Sequence, residues 1–193
     1  MLLAAVGVAV RVGLAPDLWG HLRFGSDILE LGLPAEDRYS FTAEVPWINH
    51  EWLSELLTAW AYGAGGVTGL LILKCLVLAL AFAACLGWAK AARPELRGWL
   101  AAIAFVGLYP IAVTVRPQLW TILGLALLCA ILAGRLRLLW MPLVFALWAN
   151  LHGGWIVGAG IAGLWCAGRL LDARSLRSVL PAALVLAGAL LAA

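Results

Sequence analysis

Apolar residues run along this chain in long blocks, separated by short polar connections and by one long polar segment near the start. Blocks over 67–88, 99–115, 118–134, 139–151, 154–168 and 178–193, with a short first one over 1–14, predict spanning helices, because about 20 apolar residues cross a hydrocarbon core. Several blocks are shorter than that and must tilt, extend into the adjoining turns or re-enter. The expected fold class is therefore all-α: a polytopic transmembrane helical bundle of about six or seven spans, forming a single transmembrane domain over 1–193. The apolar ends are short, so the chain is expected to be part of a longer polytopic architecture. No basic stretch precedes the first block, and a cleaved signal peptide is not expected.

The polar segment, 15–66, reads as a long external loop containing two interfacial amphipathic helices. The first is predicted from about Leu18 to Leu31, with Asp17 placed after Pro16 to cap its start. Gly32, Pro34 and the run Glu36-Asp37-Arg38 end it, and Tyr39-Ser40-Phe41-Thr42 is expected to be briefly extended. A second helix is predicted to begin near Asn49, a good cap, with Glu51 and Glu55 one turn apart on one face. Trp19, Trp47, Trp52 and Trp60 are spread through the segment. Indole is both apolar and hydrogen-bonding, which suits the headgroup level of a bilayer.

Composition places the chain outside the range of ordinary soluble domains: 65% of residues are hydrophobic, 12% are charged, and the mean hydropathy is +1.01. The net charge of +3 matters less than its distribution. Eight of the thirteen basic residues fall in three short connections: Lys90, Arg93 and Arg97; Arg135 and Arg137; Arg169, Arg174 and Arg177. Short loops rich in Lys and Arg face the cytoplasm, so 15–66, Arg116-Pro117-Gln118 and His152-Gly153-Gly154 are expected on the other side. Eight of the ten acidic residues, from Asp17 to Glu55, lie in that first external segment. Cys75, Cys85, Cys129 and Cys166 sit in apolar runs without Cys-x-x-Cys spacing and read as small buried hydrophobes.

Polar residues that interrupt the apolar pattern on the external side carry the candidate chemistry. Asp17 and His21, four apart at a helix start, either hold a general base or do no more than cap and anchor the helix. Asn49-His50-Glu51-Trp52 repeats the association of carboxylate, imidazole and indole, with a cap, a first-turn acid and an anchor as the plainer account. In Arg116-Pro117-Gln118 the guanidinium either snorkels to headgroups or offers its planar fork to a phosphate. Trp148-Ala149-Asn150-Leu151-His152-Gly153-Gly154 brings polar groups and flexible backbone to membrane depth, where they must line a cavity or be buried in protein. Lys74 and Arg11 either snorkel or face the bundle interior. Carboxylates are scarce within the predicted spans, which counts against an ion-coupled transporter.

Several of these stretches together resemble a known family. Pro16-Asp17-Leu18-Trp19-Gly20-His21, Leu33-Pro34 with Asp37 and Tyr39-Ser40-Phe41-Thr42, Pro46-Trp47-Ile48-Asn49-His50-Glu51-Trp52-Leu53, Arg116-Pro117-Gln118 and 148–154 are similar to bacterial polytopic membrane proteins related to the GT-C glycosyltransferases. The resemblance implies an inner-membrane enzyme that transfers a sugar from a polyprenyl-phosphate carrier to an acceptor on the periplasmic or extracellular side. It implies Asp17 as the base or organising acid. Where relatives carry Asp-x-Asp, this chain has Ala15 before Asp17, which leaves a divalent metal there without its second carboxylate; the cofactor is otherwise unknown. The expected catalytic pair is Asp17 and His21. The expected substrate-binding residues are Arg116, Gln118, Asn150, His152, His50 and Glu51, with Arg116 and His152 set toward the lipid phosphate by their side and chemistry. Expected partners are the lipid bilayer, the polyprenyl-phosphate-linked sugar and further subunits, with no nucleic acid. The alternative is a non-catalytic membrane subunit, or an inactive truncated relative, that binds lipid or assists assembly.

Overall fold

The computed structural model describes residues 15–37, 39–41, 48–91, 109, 111, 113–173 and 176–192. The first apolar block with Arg11, the Pro46-Trp47 pair, Arg93 and Arg97, and most of the predicted span 99–115 lie outside the described residues. What is described is helix and turn, with no extended strand.

Helix α1, Leu18–Leu31, has the bounds expected from the sequence. It turns Leu18, Leu22 and Ile28 inward and ends at Gly32, whose positive φ of 79° suits a residue without a Cβ. Asp17 does not cap it. The residue has helical backbone angles and makes no side-chain cap hydrogen bond, because its carboxylate is drawn to an arginine 99 residues away. The stretch from Tyr39 is bent rather than extended: the Tyr39 and Ser40 amides donate to Asp37 Oδ1 at 2.9 and 3.2 Å, which curls the chain.

Helix α2, Trp52–Ala91, begins three residues later than expected and joins two predicted elements. Its helical path breaks at Gly65 (φ −157°, ψ 20°) and Gly66 (φ 56°, ψ −138°). The second of these conformations is open to glycine and strained for other residues. The two arms fold so closely there that a Cβ on Gly69 would lie 1.9 Å from the Ala61 carbonyl oxygen. The break falls at the boundary between the polar segment and the block predicted from residue 67. Within α2, the stretch Trp52–Cys85 is the one among the described residues long and apolar enough to cross a membrane, its most apolar 18-residue window having a mean hydropathy of 2.4. Ile72, Leu76 and Leu80 form a solvent-facing apolar row at four-residue spacing. A stripe of that kind is costly in water and suited to lipid.

Four helices follow: α3, Gln118–Leu132; α4, Met141–Leu151, led by a short 3₁₀ turn at Leu138–Trp140; α5, Trp155–Ala173; and α6, Leu176–Ala192. Pro142 in the first turn of α4 costs no hydrogen bond, since the first amides of a helix have no partner within it. Gly134, at φ 73°, closes α3 and turns the chain into the α4 lead. At 11 to 15 residues, α3 and α4 are shorter than the roughly 20 residues a perpendicular crossing needs. The structure thus gives an all-helical chain with one clear membrane-length helix, a coarser picture than six or seven spans.

Two apolar clusters hold the helices together. One joins Leu128 and Ile131 of α3 with Met141, Phe145 and Trp148 of α4, Ala162 of α5 and Ala189 of α6. Trp148 is its wedge: a Cβ on Gly124 or Gly158 would fall 2.3 or 2.5 Å from its ring. Glycine at both positions lets the helices close on the indole from two sides. The second cluster packs Leu18 and Leu22 of α1 against Ala61, Leu70 and Val115. Between α1 and α2 the approach is closer still, since a Cβ on Gly25 would sit 2.1 Å from the Glu55 carbonyl oxygen.

Candidate functional site

Because α3, α4 and α5 alternate in direction, the start of α3, the end of α4 and the start of α5 share one end of the bundle. The starts of α1 and α2 lie there too, and four chain segments distant in sequence meet. Arg116 Nε donates to Asp17 Oδ1 at 3.1 Å. The Trp52 indole N–H donates to Asn150 Oδ1 at 2.6 Å. His152 Nε2 lies 3.6 Å from Glu51 Oε1, and His50 Nε2 lies 3.8 Å from the same oxygen. His50 also packs on Gly153, its ring carbon 3.6 Å from where a Cβ there would stand.

The Asp17–His21 pairing suggested by sequence spacing is absent. His21 turns instead to Glu55, its Nδ1–H donating to Oε1 at 3.1 Å. The other Glu55 oxygen accepts from the Asn49 side-chain amide. Asn49 Oδ1 in turn accepts from the Glu51 amide at 3.0 Å, so this residue organises the turn before α2. Glu55 is only 4% exposed and has both oxygens occupied. That is how a buried carboxylate is tolerated. Burial alone would lower the His21 pKa, but the hydrogen bond and charge of Glu55, aided by Glu51 and Asp17, outweigh it and raise it above the ordinary value.

The environment of His152 is more specific. Its Nδ1 accepts from the Gly154 amide at 3.0 Å, and Thr121 Oγ1 lies 2.6 Å from the same nitrogen. Since a backbone N–H can only donate, Nδ1 carries no proton in neutral His152, and the Thr121 hydroxyl donates to it as well. The Trp148 indole N–H donates to Thr121 Oγ1 at 3.2 Å, which leaves the hydroxyl proton for the imidazole. The ring N–H is therefore at Nε2, facing Glu51. Burial, with the charges of His50 and His21, lowers the His152 pKa. Glu51 moves the other way: burial raises its pKa, His21 and His50 pull it back, and Glu55 and Asp17 add to the rise.

All eight residues singled out from sequence stand at this end, in different circumstances. Asp17 and Arg116 form a half-exposed pair, at 44% and 36%. His50 is open to solvent at 66%, while Glu51 and His152 are mostly covered. Asn150 is a strut: besides the Trp52 bond, its amide donates to the Ala146 carbonyl at 2.7 Å. Gln118 Oε1 is buried and has no hydrogen-bond partner among the described residues. A small open depression lies to one side, lined by Phe24, Asp27, Ile28, Gly32, Pro34, Glu36, Tyr39 and Asn49, and of the polar cluster only Asn49 reaches it.

Comparison with protein-family models, with curated proteins and with solved structures finds no match to this chain. What the site can do rests on its own geometry. The donor set does not fit a divalent cation at the first loop, because Ala15 is buried where a second carboxylate would stand and the Asp17 carboxylate already takes Arg116. No group of three or more His, Cys, Asp or Glu is arranged to hold a metal among the described residues.

Three contributors escaped the sequence reading. Thr121 and Ser54 are lone hydroxyls in apolar surroundings, Ser54 accepting from the Trp120 indole at 2.9 Å. Their signal was a single hydroxyl in the first turn of an apolar helix. Tyr39 is the third: its hydroxyl donates to Asp27 Oδ2 at 2.5 Å and accepts from Arg23 Nε at 2.7 Å, tying the loop back onto α1. A tyrosine in a loop carries no comparable signal.

Proposed function

We propose that this protein is a membrane glycosyltransferase of the GT-C type, acting at the non-cytoplasmic face of the bacterial inner membrane through a bundle of about six or seven tilted spans. It transfers a sugar from a polyprenyl-phosphate carrier to a hydroxyl acceptor. The observation that carries this is the Asp17–Arg116 pair, drawn from positions 99 residues apart to the half-exposed rim of a cluster of carboxylates and imidazoles. A carrier lipid is confined to the bilayer, so its phosphate sits at such a rim. There a guanidinium can stabilise the charge that gathers on phosphate as the glycosidic bond breaks. The basic turn at Arg135 lies at the far end of the bundle, against Ala84, which suits the charge rule for membrane orientation.

The purified chain in lipid nanodiscs, supplied with polyprenyl-phosphate-linked sugar, should release polyprenyl phosphate. Arg116→Gln should cut kcat/KM by about 10²- to 10³-fold, the cost of losing one charge-stabilising donor. Undiminished transfer by both Arg116→Gln and Asp17→Asn would remove the pair from the mechanism. A second reading, a non-catalytic subunit that holds the carrier lipid, is favoured by one feature: most groups in the cluster already satisfy one another. Turnover by the purified chain with no other protein present would end it.

A further inference from the structure

Among the described residues, Glu51 is the one carboxylate of this end flanked by imidazoles on two sides. His152 lies on the covered side and His50 on the open one. On the covered side the imidazole is fixed by a chain of donors: Trp148 to Thr121, then Thr121 and the Gly154 amide to His152 Nδ1. Position 154 has no room for a side chain, since a Cβ on it would stand 2.2 Å from the Thr121 hydroxyl. The 3.6 Å between His152 Nε2 and Glu51 Oε1 is longer than a direct hydrogen bond, and a single oxygen atom can bridge the two.

From this arrangement we infer that Glu51, and not Asp17, takes the proton of the acceptor hydroxyl, and that Thr121 is the positioning residue that holds His152 Nε2–H against the bridging oxygen. This rests on the transferase reading above. The hydroxyl oxygen accepts from His152 Nε2–H and donates to Glu51 Oε1. As that oxygen bonds to the sugar's anomeric carbon, the bond from that carbon to the phosphate oxygen breaks. The electron pair leaves with the phosphate, and the hydroxyl proton passes to the Glu51 carboxylate. His50, 66% exposed and 3.8 Å from the same carboxylate oxygen, is the route by which that proton reaches water. Burial of Glu51 makes it a stronger base than an exposed carboxylate, which suits the task. The groups that set its titration are His21, His50, Glu55 and Asp17, with His152 opposite.

Two measurements test this on the full chain in nanodiscs. The first needs no turnover: nitrogen NMR of ring-labelled histidine reports which nitrogen of His152 bears the proton. Wild type and Thr121→Ser should show the Nε2–H tautomer with Nδ1 strongly hydrogen-bonded, and Thr121→Val the same tautomer with the Nδ1 resonance shifted toward that of a weakly bonded nitrogen, since only the Gly154 amide still donates to it; Nδ1–H in the wild type overturns the inference whatever the protein's activity. The second uses the polyprenyl-phosphate-linked sugar. Glu51→Gln should lower kcat at least about a hundredfold. Thr121→Val should lower it by about ten- to a hundredfold with KM held within about twofold, and Thr121→Ser should restore it. Full kcat in Glu51→Gln or Thr121→Val, or loss confined to KM, overturns it. A wild type with the Nε2–H tautomer but no transfer sinks the transferase reading and this role for Glu51 with it, while the placement of His152 by Thr121 stands.

Discussion

The two ends of the bundle treat charge in opposite ways. At the end holding Asp17, carboxylates are buried or half-buried and each is answered by a partner distant in the chain: Arg116 for Asp17, His21 for Glu55, His152 for Glu51. At the other end Arg135 Nη1 donates to a backbone carbonyl, Ala84, at 2.6 Å, and Arg169 lies over the Trp165 ring at 5.2 Å. Cations there are met by a neutral backbone carbonyl and an aromatic face, which ask for no carboxylate. A charge paired across the fold fixes the positions of several helices at once. Arg135 also reaches across the fold, but it is exposed and takes a neutral carbonyl, so its loss leaves no buried charge unpaired. The polar end should therefore be sensitive to substitution in both stability and activity, and the basic end in neither.

The largest expected effect comes from prying the polar end open. Gly25→Leu puts side-chain atoms where the Glu55 carbonyl oxygen already stands, 2.1 Å from a Cβ, so α1 must leave α2. Overpacking against backbone cannot be relieved by a rotamer change and should cost on the order of 3 kcal/mol or more, read as loss of the folded fraction in thermal unfolding. Gly188→Leu, at a site with nothing within 4 Å, is the matched control and should melt like the wild type.

Next is Glu55→Ala, which leaves the His21 imidazole and the Asn49 amide without their acceptor in a covered site. About 2–4 kcal/mol of destabilisation is expected, since unpaired buried donors keep their desolvation cost. Arg135→Gln should stay within about 1 kcal/mol of the wild type. The sugar transfer proposed above should also be unchanged by it, against the large loss for Arg116→Gln. Equal effects of the two arginine substitutions would erase the contrast between the ends.

Much of this contrast was visible in the sequence, and what was not has physical causes. Segregation of acids into Asp17–Glu55 and bases into three turns could be read because it is a property of the sequence itself and needs no tertiary contact. The bounds of α1 were legible because Pro16 and Gly32 punctuate them chemically. The Gly65–Gly66 break was legible only as a boundary, since whether two glycines bend one helix or separate two depends on the packing of Ala61 against Gly69. The partners were not legible at all. Asp17 and His21 share a helix face, yet each is taken by a residue tens of positions away, because tertiary contacts outcompete a weak local pair on a helix surface. Thr121 illustrates the same limit: its role needs the end of α4 and the start of α5 beside it.

The smallest effect to seek is the pH dependence of the His21–Glu55 pair, and its sign can be worked out. The folded-state pKa of His21 is raised, so its stabilisation is complete below the unfolded value of about 6.5 and fades as pH climbs through the folded value. His152 has the opposite shift: burial lowers its pKa, so protonation favours unfolding, and its contribution weakens the fold as pH falls below about 6.5. The two histidines thus oppose each other, and the wild-type melting temperature alone should change little between pH 6 and 8.5. The difference between wild type and His21→Asn isolates the pair. The wild type should exceed the variant by more at pH 6 than at pH 8.5, and the gap should shrink in Glu55→Gln, where the charge that raises the imidazole pKa is gone. A gap that widens with pH would mean that burial dominates at His21 as it does at His152, and that the carboxylates of the polar end do not hold its imidazoles charged.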